Sequence, residues 1–452
     1  MIFEKASIVD GSGGKRFSTD LALLGERIAR IGDCSGLEAR QRIDARALIL
    51  APGFIDVHAH SEQRWFEPRS SAGFLAAGIT TAIEGARNFS LTAEQAGDLR
   101  GSLRLNLALV ASPRREEIER GACGLSVRFG DAPPSEDALR VAKDAGIPLV
   151  VHLRNREREL LASLDEALAL ARTYEMPLHI ARFSYAYGED RALVHVALER
   201  LDAHRARGLP VSCDLFPYIA DESALGALFP PATLSRMRND DTALAAMLHA
   251  RLHYGDRWGR ISLRAVRDER ALADLGASIE AIAARRRLSC ERTALALLDE
   301  LGAEAPLLHR SLNEEDLATI LSAEFACIGT ADASYSFDED PFRLRHPRAY
   351  GSFPRLFSRF VRVLHVLALE EAVRRCSALP ARIFGLRDRG EIREGAFADL
   401  VLFDERTIAD TATYERPVRA PVGIRAVFVN GAAVYGAPMG EIAYPGRILE
   451  RQ

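Results

Sequence analysis

Short apolar runs separated by turn signals open the chain. Ala6-Ser7-Ile8-Val9 precedes Asp10-Gly11-Ser12-Gly13-Gly14, and Asp20-Leu21-Ala22-Leu23 and Arg27-Ile28-Ala29-Arg30-Ile31-Gly32 follow. This texture predicts a small antiparallel β unit from Ile2 to about Leu50. It returns near the other end, at Gly395 to Asp404 and Ile424 to Gly431. Between the two, strand-like apolar runs alternate with amphipathic stretches. Strands are predicted over Pro52 to His60, Gly78 to Gly85, Leu149 to Arg154, Pro177 to Arg182, Pro210 to Tyr218 and Phe325 to Asp332. Helices are predicted around Ser71 to Ala77 and over Leu160 to Tyr174. Strand and helix in alternation is the pattern of a parallel α/β barrel. From about Ala220 to Leu301 the strand rhythm disappears, and Ala, Arg and Leu recur at helical spacing, which predicts a largely helical insertion.

Composition narrows this picture. At 452 residues the chain is too long for one small core, so a large barrel with an attached smaller domain is expected. Its 48% hydrophobic and 27% charged residues are ordinary for a globular protein. A net charge of -4 argues against a nucleic-acid partner, which would need a basic stripe to neutralise phosphates. No apolar run reaches the length of a membrane span, and Met1-Ile2-Phe3-Glu4-Lys5 lacks a signal-peptide core, so no membrane partner and a cytoplasmic location are expected. The six cysteines (Cys34, Cys123, Cys213, Cys290, Cys327 and Cys376) show no CxxC spacing. They read as small buried hydrophobes, without disulfide or metal.

The first candidate chemistry sits at the end of Pro52-Gly53-Phe54-Ile55-Asp56-Val57-His58-Ala59-His60. On a strand, residues i and i+2 face the same side, so His58 and His60 project together. Two neutral imidazoles at a strand tip begin a divalent-metal site, although isolated histidines commonly serve packing or surface roles.

Several segments in order extend this: APGFIDVHAH (Ala51 to His60), GITT (Gly78 to Thr81), HLR (His152 to Arg154) with a helix leading into PLHIA, DLFPY (Asp214 to Tyr218), IGTAD (Ile328 to Asp332) and HPRAYGSFPR (His346 to Arg355). Together they resemble the N-acyl-D-amino-acid deacylase (D-aminoacylase) branch of the amidohydrolase superfamily. The resemblance implies an α/β protein: a (β/α)8 TIM-type barrel over residues 52–389, a helical insertion at about 220–301 over the barrel mouth, and a small discontinuous β-sandwich domain built from residues 1–51 and 390–452. It also implies a pair of metal positions. One set is intact as His58, His60 and Asp332. Of the other only His152 survives, because Arg87 and Arg182 stand where the family has a cysteine and a histidine. A guanidinium stays protonated and cannot be a ligand.

Three readings follow. In the first, one divalent metal, zinc for an imidazole-rich ligand set, remains on His58, His60 and Asp332 with help from Glu84 or His152. Asp332 then relays a proton from water to the leaving amine, and the chain hydrolyses an amide C–N bond of a small acylated amino acid or related molecule. In the second, the arginines bind an anionic substrate group or oxyanion in place of the metal. In the third, the chain is a metal-depleted relative that binds a small anion without hydrolysis. Arg87, Arg154, Arg182 and Tyr218 are the substrate-contact candidates. Arg87 and Arg182 could equally pair with Glu84, Asp214 or Asp332 and only neutralise charge. Ser184, Phe216 and Glu222 occupy positions where the family holds a substrate carboxylate, and none of them is basic. A small-molecule substrate is the expected partner; oligomeric state is not legible.

Overall fold

The computed structural model describes residues 1–67, 69–85, 93–129, 134–188, 190–229, 240–436 and 443–451. Arg87 therefore lies outside the described residues. Eight parallel strands form the barrel in chain order: Phe54–Ala59, Ile79–Glu84, Asn106–Ala111, Gly124–Arg128, Leu149–His152, Leu178–Ile180, Val211–Leu215 and Ala326–Ile328. Neighbours pair in register from Phe54↔Ile79 around to Leu215↔Ile328. The third and fourth strands were not expected from the sequence. NLALVA reads equally well as helix, and GLSVR is too short for a clear period.

Alternation along the strands divides the apolar residues between two clusters. Leu149, Val151, Leu178 and Ile180 join the large one packed by the surrounding helices, whereas Ile83, Ala108, Val110 and Val150 join a smaller one with Phe384. The outer helices include Ala72–Ala76 and Leu160–Thr173, where the periodicity placed them. Among the described residues no helix is long and apolar enough to cross a membrane, and all six cysteines are free.

The barrel closes between its first and last strands largely through side chains. Ala59 bridges to Asp332, and the His60 amide donates to the Asp332 carbonyl at 2.9 Å. One turn of the pleat below, the Asp56 carboxyl accepts from the Thr330 amide at 2.9 Å, from the Thr330 hydroxyl at 2.6 Å and from the His58 amide at 3.1 Å. Gly329 makes this approach feasible, because a Cβ there would lie 2.8 Å from the His58 Cβ.

Burial raises the Asp56 carboxyl to about 7 despite the donors around it. A carboxyl raised in the folded state contributes stability that is present below its unfolded value and lost as pH rises through about 7. Asp56→Asn removes this ionisation, so its urea midpoint is expected to fall less than the parent's between pH 5 and pH 8. Equal slopes in the two proteins would contradict that assignment.

The chain ends share one mixed sheet, in the order Ala432–Tyr435, Ile424–Val429, Leu400–Phe403, Ile49–Pro52, Ile2–Ile8, Phe17–Leu24 and Arg27–Ile31, with Arg42–Asp44 paired to Ile2–Ile8. Leu400–Phe403 runs antiparallel to Ile49–Pro52 and so joins the two ends. The unit is not all-antiparallel, since Ile2–Ile8 lies parallel to both Ile49–Pro52 and Arg42–Asp44. The insertion also departs from expectation. Besides the helices Asp240–Tyr254, Ile279–Arg286 and Cys290–Leu301, it carries a three-stranded antiparallel sheet of Asp221–Ala224, Pro306–His309 and Ile261–Leu263. Strands of three or four residues are too short to show a period of two against helical neighbours.

Candidate functional site

The carboxyl ends of the barrel strands bring together His58, His152, His179, Asp214 and Glu84, the face where barrels of this kind carry their chemistry. His58 is buried, and its ring lies 4.8 Å from that of His60 and 5.1 Å from that of His152, centroid to centroid.

Asp214 organises the group. Its carboxylate sits 3.1 and 3.2 Å from His58 Nδ1, and it also meets His179 Nε2 at 3.1 Å. Burial alone would raise this carboxyl, but the two imidazoles hold it well below the usual carboxylate range. His179 is tied at its other nitrogen to the Ser212 hydroxyl, at 2.9 Å, and so serves Asp214. Burial pushes His58 and His152 down, so both are neutral near pH 7; the nearby Arg182 charge adds to the effect. In neutral His58, a proton on Nδ1 facing Asp214 leaves the Nε2 lone pair bare. His58 Nε2 and His152 Nε2 are both buried and without a hydrogen-bond partner among the described residues.

Next to the imidazoles lies an ion-pair network. Arg156 and Arg182 reach Asp221 at 2.7 and 3.1 Å. Arg348, itself buried, contacts Asp332 through Nε at 3.2 Å, Glu222 at 3.0 Å and Asp221 at 3.4 Å. Burial would raise Asp221, but Arg182, Arg156 and Arg348 hold it well below its ordinary value. For Glu222 burial outweighs Arg348 and pushes the carboxyl up to about 7. The other Asp332 oxygen accepts from the Ala333 amide at 2.8 Å and the Tyr335 hydroxyl at 3.3 Å. A cavity of about 300 Å³ opens here, lined by His60, Glu222, Asp332, Tyr335, Arg345 and Arg348 among others.

The remaining sequence candidates fall differently. Glu84 is buried and accepts from the Ser61 amide at 2.7 Å. Arg182 pairs with Asp221, a carboxylate that was not among its anticipated partners. Arg154 is misplaced as a substrate contact. The strand ends at His152, so the side chain turns outward and forms a two-point pair with Glu166 at 2.8 and 3.2 Å, half exposed. Tyr218 is buried, with its hydroxyl 3.1 Å from Asp410, its ring under Arg355 and its edge against His346. Arg156, Asp221 and Arg348 were not singled out. The one signal for Arg348 was its place in HPRAYGSFPR, a segment legible as a landmark but not as a charge partner.

The fold that carries this arrangement is shared with known proteins. A model described as the amidohydrolase family matches residues 232–435. An N-acyl-D-glutamate deacylase of Alcaligenes xylosoxydans xylosoxydans is 29% identical, over 100% of this chain and 96% of the relative, and a D-aminoacylase of the same organism is 27% identical, over 100% and 97%. Over its whole length the chain is similar to members of the amidohydrolase superfamily. Solved members share its whole course. An N-acyl-D-glutamate deacylase from Bordetella bronchiseptica, complexed with zinc and a phosphonate mimic of the tetrahedral intermediate, superposes with a TM-score of 0.79 at 25% identity over 99% of both chains. A D-aminoacylase described in terms of one-metal activation and second-metal attenuation of a binuclear centre matches with a TM-score of 0.77 at 25% identity, over 100% of this chain and 99% of that one.

Measured against these amidohydrolases, the two bare Nε2 atoms suit a divalent ion: they are neutral, buried and otherwise unsatisfied. The carboxylates contribute less, since Asp332 is held by Arg348, and no three His, Cys, Asp or Glu side chains converge as ligands among the described residues.

Proposed function

We propose that this amidohydrolase hydrolyses the C–N bond of a small acylated amino acid or related linear amide with a single divalent metal, zinc by the chemistry of its imidazole donors. The observation that carries this is the pair of unpartnered, buried Nε2 atoms on His58 and His152. These two would hold the ion, with His60 beside them. When bound, such an ion supplies a Lewis acid for the amide carbonyl and for water. The chain's own residues do the rest. Asp214 keeps the His58 proton on Nδ1. Asp332, aligned by Arg348 Nε, would take the proton from water at Oδ2 and return it to the leaving amine. The Arg182–Asp221 pair balances charge at the edge of the site. Zinc in the Bordetella deacylase and one-metal activation in the D-aminoacylase support a mononuclear reading.

The test is elemental analysis of protein expressed with added zinc, together with amine release from N-acetyl amino acids of both hands. About one metal per chain, and turnover that is abolished by chelation and restored by zinc, are expected. Metal-free, inactive protein would sink the reading. It would favour the second one, a metal-depleted barrel that binds a small anion without hydrolysis. That alternative draws on the Asp332–Arg348 pair, which occupies the carboxylate otherwise needed by the metal.

A further inference from the structure

A cavity of about 400 Å³ lies at the end of the barrel opposite the imidazoles, where the buried Cys123 precedes the strand Gly124–Arg128. Arg27, Arg387, Arg389, Arg447 and Arg451 all line it, with only two carboxylates, Asp388 and Glu450. Its wall residue Phe384 packs against His179, with 5.2 Å between ring centroids. A layer of rings therefore separates this floor cavity from the mouth.

Charge on the floor is uneven. Three guanidiniums gather around the one ring of Phe397, with Arg27 at 3.8 Å, Arg389 at 4.1 Å and Arg447 at 6.0 Å from its centre. Each of the three has a carboxylate: Asp388 at 3.1 Å for Arg27, Asp399 for Arg389 and Glu26 for Arg447. Asp388 is shared with Arg393. Arg387 and Arg451 are exposed, and their side chains form no ion pair or hydrogen bond among the described residues; the exposed Glu450 matches neither. Like charges gathered in a cleft repel one another, and the low-dielectric walls concentrate their field on whatever anion enters.

These arginines come from three stretches of chain that the fold pins in place. The turn carrying Arg387 and Arg389 has left-handed backbone at Gly385 and Asp388, with φ of 65° and 56°, and the Phe397 amide donates to the Asp388 carbonyl at 2.9 Å. Arg447 and Arg451 flank Ile448–Leu449, which pairs parallel to Asn106–Ala111, and the Arg451 amide donates to the Gly121 carbonyl at 3.0 Å. Arg27 donates to the Gly395 carbonyl at 2.6 Å, and Arg389 is buried. A site assembled before the ligand arrives loses less freedom on binding.

We propose that this floor cavity binds a phosphate-bearing small molecule, with Arg387 and Arg451 as the principal contacts. A phosphate group offers three acceptor oxygens and as many as two charges, enough to engage two forked guanidiniums. A carboxylate has two oxygens, which a single fork fills. The site is separate from the mouth and stands independently of the hydrolase reading.

The experiment is calorimetric titration of the full chain, exchanged into phosphate-free buffer, with inorganic pyrophosphate and with ADP. Both are expected to bind. Arg387→Met and Arg451→Met should each weaken binding about 10-fold, the worth of a hydrogen bond to a charged group, and the double variant more. Arg154→Met removes a guanidinium from the outside of the barrel and controls for net charge; screening should keep its effect below about two-fold. Pyrophosphate should also raise the thermal midpoint of the parent more than that of the double variant, whose own cooperative unfolding shows that it is folded. Tighter pyrophosphate binding identifies a free diphosphate as the ligand, and tighter ADP binding a phosphate carried on an organic body. The proposal is overturned if neither probe binds at millimolar concentration, if the two floor variants keep the parent's affinity, or if Arg154→Met weakens binding as much as they do.

Discussion

Replacing Arg348 with methionine is expected to destabilise the protein by about 3–5 kcal/mol at pH 8, the usual cost of removing one partner from a buried ion pair. Methionine keeps most of the apolar stem, so lost packing is a minor part of the effect. The main part is electrostatic. Asp221, Glu222 and Asp332 all lean on this one guanidinium, and its attraction to them raises Arg348 against the lowering effect of burial. The loss depends on pH in a definite direction. Glu222 already stands at about 7, and without Arg348 its carboxyl rises further, so the folded variant binds more protons than the folded parent near neutrality. The deficit therefore shrinks as pH falls and grows as pH rises. Urea midpoints at pH 5.5 and pH 8 measure it, and an equal loss at both would show that the network is not acting through charge.

His58→Ala is expected to lower kcat/KM on any amide substrate about 1000-fold, equivalent to about 4 kcal/mol of barrier, and to abolish bound metal. The change removes one of the two bare Nε2 atoms and frees Asp214 from half of its imidazole partners. His179 still bonds the remaining carboxylate oxygen at 3.1 Å, so the variant should fold and the loss be read as chemistry. A variant that retained both metal and most of its turnover would remove His58 from the site.

Much of this was legible in the sequence because it rests on local patterns. The HxH run is apolar, bounded by Pro-Gly, and ends where two imidazoles share a face, so local pattern alone marks His58 and His60. His152 came from the resemblance to the deacylases, as the histidine of the HLR segment. Arg154 was expected at a strand end, but the strand stops at His152 and the guanidinium pairs with Glu166. The ion-pair network was hidden for another reason. Arg348 and Glu222 lie 126 positions apart, and nothing local to either reports the other. The same holds for Asp214, whose carboxylate reaches His58 across 156 positions. The sequence offered it as a possible partner of Arg87 or Arg182; in the fold it bonds His58 and His179.

The seam between the first and last barrel strands has a consequence for how the chain is made. Asp56 waits for Thr330, 274 residues further on. At roughly 5–20 residues per second, synthesis leaves the Phe54–Ala59 edge open for tens of seconds. Throughout that time the nascent barrel presents a buried-type strand with unpaired amides and carbonyls, the kind of edge that recruits other chains. Ile49–Pro52 waits longer still, for Leu400–Phe403. Ribosome-bound chains halted before Ala326 should therefore be the aggregation-prone species, and a nascent-chain chaperone would have its longest task at this N-terminal edge.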